Sequence, residues 1–116
     1  MRLPEAIPSQ LRFVAISLKE LGLGEVAWRA RDALAVIESL RGTPVAITGA
    51  DLYRVEAWGI APLTEGWLCE RLRGEMASQY AERSRGLAAA CIEQREALAG
   101  QEVLYALLFT LQQDAA

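Results

Sequence analysis

The chain has 116 residues, 53% of them hydrophobic and 23% charged, and a formal net charge of −3. That describes one domain, residues 1–116, able to bury a single core. The mild negative charge argues against a nucleic-acid grip, which needs a clustered basic patch to displace counterions from phosphates. The sequence holds no histidine, which excludes Ser-His-Asp and Cys-His catalysis and histidine-ligated zinc.

No run of about eighteen apolar residues is present to span a bilayer. The N-terminal Met1-Arg-Leu-Pro-Glu5 lacks the basic-then-apolar pattern of an export signal. The expectation is a cytoplasmic protein without a membrane role. Cys69 and Cys91 are too few and too far apart for a disulfide framework or a paired-cysteine metal site. Both are expected reduced, with Cys91 buried and Cys69 a small buried hydrophobe. The acidic residues form no recognisable catalytic setting, so no enzyme, cofactor or metal is expected.

In chain order, Pro8-Ser9 followed by Leu11, Val14, Ala15, Leu18 and Leu21 predicts a first helix ended by Gly22. Phe13 and Ile16 fall on its opposite face, to pack on a second layer or meet a partner. A second helix is predicted from Arg29 or Ala30 to Arg41, with Ala30, Ala33, Leu34, Ile37 and Leu40 on one face and Gly42 closing it. Trp28 stands just ahead, placed to staple the helix start onto the core or to touch a ligand.

After Pro44 the period becomes two. Val45 and Ile47 alternate with Ala46 and Thr48, Gly49-Ala-Asp51 reads as a turn, and Leu52–Glu56 follows as a strand. Ala57-Trp58-Gly59 fits a three-residue hairpin loop with Gly59 left-handed, returning through Ile60 to Leu63 with Pro62 confined to an edge. Glu75–Ala99 reads as a long helix with the stripe Met76, Tyr80, Ser84, Leu87, Cys91 and Leu98, opposed by a charged face of Glu75, Glu82, Arg85, Glu93 and Glu96. The segment Glu102–Gln112 suits helix or strand. The period-two set Val103, Tyr105, Leu107, Phe109 and Leu111 favours strand, and the apolar residues between them make it a central one. The expected fold is α+β, a small mixed sheet of about four strands covered by three helices in the order α-α-β-β-β-α-β.

Ile47-Thr-Gly-Ala-Asp-Leu-Tyr53 and then Glu65-Gly-Trp-Leu-Cys69, after an Ala27-Trp28 that opens a helix, resemble the immunity protein 40 family of bacterial polymorphic-toxin systems. The resemblance runs from about Leu18 to Arg85, with Gly49, Asp51, Tyr53, Trp67 and Cys69 at the motif positions. It departs from the family pattern at Ala50, where a second glycine is usual, and at Ala30-Arg31-Asp32, which lacks a hydroxyl cap. What it implies is a stoichiometric inhibitor of a cognate toxin domain, acting through protein–protein contact without chemistry of its own.

Residues on turns and an edge are the candidates for partner contact: Asp51, Arg54, Glu56, Trp58, Glu65 and Trp67. Glu56 and Glu65 are suited to pair with basic groups of a toxin cleft. Each has a structural alternative. Asp51 is equally suited to cap a turn, Trp67 to pack in the core, and Tyr53 and Val55 to share a buried strand face; Trp58 is the residue best explained by exposure. Two other classes stand beside the inhibitor. One is a regulatory homodimer joined through Phe13 and Ile16 or the Pro62 edge. The other is a small enzyme using Asp51 and Glu56.

Overall fold

A computed structural model describes residues 3–98 and 100–112. The segment with bulky residues at every position, Val103–Leu111, is a strand and lies in the middle of the sheet, as its two apolar faces require. The elements are α1 (Ser9–Phe13), β1 (Ile16–Ser17), a 3-10 turn at Lys19–Leu21, β2 (Val26–Arg29), α2 (Ala30–Ser39), β3 (Val45–Glu56), β4 (Gly59–Leu68), α3 (Ala77–Ala97) and β5 (Val103–Leu111). This is the expected α+β class with three helices among the described residues. The sheet has five strands in the order β1-β2-β5-β3-β4 and is antiparallel at every pairing.

Helices α2 and α3 cover one face. There Val103, Tyr105 and Leu107 meet Trp28, Ile47, Ala50 and Leu52 under Ala33, Val36, Ile37, Ala88 and Ile92. On the other face Leu104 and Ala106 pack with Leu18, Ala27 and Tyr53. Trp28 is fully buried in β2, two residues before α2 begins, with its indole N–H donated to the Leu11 carbonyl at 2.8 Å and its ring edge-on to Phe109. The stapling reading of Trp28 holds.

The first helix is much shorter than its apolar spacing predicts. It stops at Phe13, and Ile16–Ser17 pairs with Val26–Ala27 instead. The reason lies in the two faces: Leu11 and Ala15 pack on the helix side of the sheet, whereas Ile16 and Leu18 pack on the other. One straight helix cannot serve both, so the chain crosses the sheet edge between them. Phe13 is left 90% exposed.

The predicted turn at Gly49–Asp51 is absent. β3 runs unbroken, and its register with β5 shifts between Ile47 and Gly49, which makes Thr48 a bulge. The extra residue flips the strand's phase, so that Val45 and Ile47, then Ala50 and Leu52, all face the helices. Asp51 therefore caps no turn; it stands mid-strand, exposed, opposite Gly66 and Ala106. The hairpin loop is shorter than expected too. Glu56 pairs with Gly59, leaving Ala57-Trp58 as a two-residue turn, and Gly59 has a φ of +149° rather than a left-handed helical value. Pro62 does lie on an edge strand, β4.

α3 covers Ala77–Ala97 of the predicted Glu75–Ala99, whose last residue lies outside the described residues, and its buried residues are Ala77, Tyr80, Ala81, Ser84, Arg85, Ala88 and Ile92. Met76, Leu87 and Leu98 are exposed, and Cys91 is half-buried rather than buried. Arg85, predicted on the solvated face, is 9% exposed. Its position follows from the sheet: β4 pairs with β3 only from Gly49 onward, which strips Val45–Ile47 of a neighbour. α3 fills in. Ser84 Oγ accepts the Ile47 N–H at 2.9 Å, and Arg85 Nη1 donates to the carbonyls of Val45 at 2.8 Å and Thr43 at 3.0 Å. Buried backbone groups that would otherwise be orphaned are thereby paired.

Candidate functional site

The β3–β4 hairpin carries the sequence candidates, and its twist distributes them over separate surfaces. Trp58 projects from the tip with 73% exposure. Beside it a pocket of about 190 Å³ is lined by Ser17, Leu18, Glu20, Leu21 and Ile60. Arg54 and Glu56, two residues apart on one strand face, form an ion pair just below the tip. Further down, Glu65 pairs with Arg95 of α3 at 2.9 Å. Trp67 packs half-buried against the core, its ring 6.4 Å from that of Tyr105, in a groove shared with Cys91, Arg95 and Leu98. Glu56 and Glu65 thus already hold intramolecular cations, and Trp67 takes the packing alternative.

Asp51 is set apart on the face turned away from α2 and α3. The glycines beside it are required by the backbone. A Cβ on Gly49 would lie 2.3 Å from the Trp67 carbonyl oxygen, and one on Gly66 2.6 Å from that of Ala50. Next to Asp51 on the same strand face is Tyr53, only 4% exposed. Burial, then the charge of Glu25, then that of Asp51, raises the Tyr53 hydroxyl above its ordinary value. Glu25 is itself raised, by burial first and by Asp51 second. Sequence reasoning missed Glu25. Its residue type carries no signal, and its nearness to Asp51 exists only because β5 sits between β2 and β3 with the small Ala106 at the crossing.

A second charged knot fastens the start of α3. Arg83 donates to both carboxylate oxygens of Glu75, at 2.7 and 2.9 Å, to the Glu70 carbonyl and to Cys69 Sγ, and lies 5.6 Å from the Tyr80 ring centre. The hydrogen bonds from Arg83 hold Glu75 at about 2. Cys69 is buried inside this knot, and the Tyr80 hydroxyl donates to its carbonyl.

Asp51 and Glu56 lie an odd number of residues apart on a strand in regular register with β5 from Gly49 to Arg54. They project from opposite faces and cannot work on one substrate atom. Among the described residues no group of three His, Cys, Asp or Glu side chains is gathered to hold a metal ion, and no helix is long and apolar enough to cross a membrane.

An exposed tryptophan on a tight turn, a paired hairpin and a sheet face that presents Asp51 are the parts of a binding scaffold. The family described as immunity protein 40 matches residues 17–109, and the chain belongs to it; the function that family carries is immunity, the neutralisation of a toxin. The match begins in β1 and runs into β5, taking in the whole hairpin and both long helices. No curated protein and no solved structure matches the chain.

Proposed function

We propose that the chain is a cytoplasmic immunity protein that binds one cognate secreted toxin domain in a one-to-one complex, the protective half of a contact-dependent competition system. It works by occupying the toxin, not by chemistry. The hairpin β3–β4 is the contact element, with Trp58 at its tip as the anchor, Arg54, Glu56 and Glu65 beside it on the helix side, Asp51 on the other face and Trp67 supporting the hairpin from the core. The observation that carries this reading is Trp58, a large amphipathic side chain 73% exposed on a two-residue turn of a strand pair tied into the core. Tryptophan is enriched among residues that dominate interface energies, and a stiff turn presents it at little entropic cost.

Co-expression with the C-terminal domain of a large secreted protein encoded next to this chain tests the reading. Host survival and a stable one-to-one complex on co-purification are expected. Host death with this chain soluble, repeated for every neighbouring candidate, would remove it. A second reading, a regulatory homodimer, is favoured by Phe13 at 90% exposure and by the open edge of β4. Sedimentation of the isolated chain decides that: a dimer lost in Phe13→Ser supports it, and a monomer at all concentrations excludes it.

A further inference from the structure

The sheet ends at β4, whose outer side has no neighbouring strand among the described residues. Most of that border is blunted. Pro62 has no N–H to offer, the register shift against β3 leaves Leu63, Thr64 and Glu65 without ladder partners, and the Glu70 carbonyl is taken by Arg83 Nη2 at 2.7 Å. Between these guards lies Gly66-Trp-Leu68, with no proline and no charge.

The phase of the ladder decides which way this stretch faces. Trp67 and Ala50 are registered partners, and each turns its carbonyl toward the other strand, that of Trp67 onto Gly49 and that of Ala50 onto Gly66. Cys69, two residues further on, again faces inward and donates its N–H to the Thr48 carbonyl at 2.8 Å. Alternation then turns the N–H and C=O of Gly66 and of Leu68 outward. Both residues are exposed. On the helix side, Trp67 lines a groove of about 200 Å³ between β4 and the end of α3, walled by Cys91, Gln94, Arg95 and the exposed Leu98.

We infer that an extended strand of the toxin domain adds to β4 at residues 66–68, its backbone bonded to Gly66 and Leu68 and an apolar side chain opposite Trp67 set in the groove. Unpaired N–H and C=O groups at strand spacing take a strand, because a helix spends its own backbone groups internally. A second copy fits this edge less well: two β4 strands paired antiparallel here share only residues 66–68 before the unpaired residues 63–65 of each meet the other chain, too little area for a stable dimer. A toxin strand leaves the rest of the interface to the hairpin tip. The identity of the occupant rests on the immunity reading; the open edge stands without it.

Amide exchange in the ¹⁵N-labelled chain tests the inference. Gly66 and Leu68 should exchange fast in the free chain and at least about 100-fold more slowly in the complex with the toxin domain, while Trp67, bonded into β3, is protected in both. Unchanged exchange at Gly66 and Leu68 in a formed complex overturns the strand addition and leaves the immunity reading intact. Slowing in the isolated chain that grows with its concentration assigns the edge to a second copy and overturns it as well. No complex with any neighbouring toxin domain removes the immunity reading, and the proposed occupant with it. Leu68→Pro deletes an outward N–H without touching a bond to β3 and should lose at least about tenfold in affinity, whereas Leu68→Ala, which keeps that N–H, stays within about threefold of wild type. Equal affinities in the two variants, with melting unchanged, overturn the backbone pairing.

Discussion

At the scale of single residues, glycine has opposite meanings at two places. Gly49 lies where a Cβ would meet the Trp67 carbonyl at 2.3 Å, whereas at Gly86 in α3 a Cβ meets nothing within 4 Å. Gly49→Ala should therefore cost about 3 kcal/mol, because backbone rather than a pliable side chain must move. Gly86→Ala should gain about 1 kcal/mol through helix propensity. Urea unfolding of both variants checks the pair, and the opposite signs are the point. Glu75 sets an acid limit. Arg83 holds it at about 2 against an ordinary 4.5, so its ionised form contributes stability fully above pH 4.5, and that contribution is lost as pH falls from 4.5 through 2. Melting of wild type and Glu75→Gln across that window should show their difference shrinking to nothing. Trp58 was legible in the sequence because it interrupts the alternation at a turn. Glu25 was not, since a single glutamate acquires its meaning only from neighbours that the fold brings to it.

At the scale of elements, the seam between α3 and the bare stretch of β3 is the most exacting contact. Ser84→Ala leaves the Ile47 N–H buried and unpaired, for about 2 kcal/mol. Arg85→Met strands the Val45 and Thr43 carbonyls together, for about 3 kcal/mol. Amide exchange at Ile47 should accelerate in the first variant before global unfolding is reached. Unchanged exchange and stability would refute the seam. The same scale explains which elements could be read in advance. α2, α3, β5 and the hairpin each carry a period long enough to recognise. The bulge at Thr48 reverses the phase of β3 and so looked like a turn. β1 and β2 have two and four residues, too few for any period, and β2 passes directly into α2 at Ala30. Arg85 looked solvated because an arginine's destination is decided by the carbonyls it finds, and those belong to an edge that the sequence does not reveal.

At the scale of the whole molecule, scaffold and contact surface should be separable. Trp58→Ala is expected to keep the melting transition within about 0.5 kcal/mol of wild type and to weaken toxin binding by more than about 1 kcal/mol. A large loss of stability would instead assign Trp58 to the packing between the hairpin tip and the Lys19–Leu21 turn. The α+β class and the central place of β5 followed from the apolar residues alone, while the five-strand order did not, because it depends on which edges are left to pair.

That order also governs when protection begins. β2 and β3 have no shared border until β5 arrives between them, so a chain still being synthesised past α3 holds two sheet fragments and no antidote. At roughly 5–20 residues per second, the stretch from the end of β4 to the end of β5 takes several seconds to make. Under the proposed function, a message broken anywhere within that stretch should yield no partial shield, and protection of this build should be all or none.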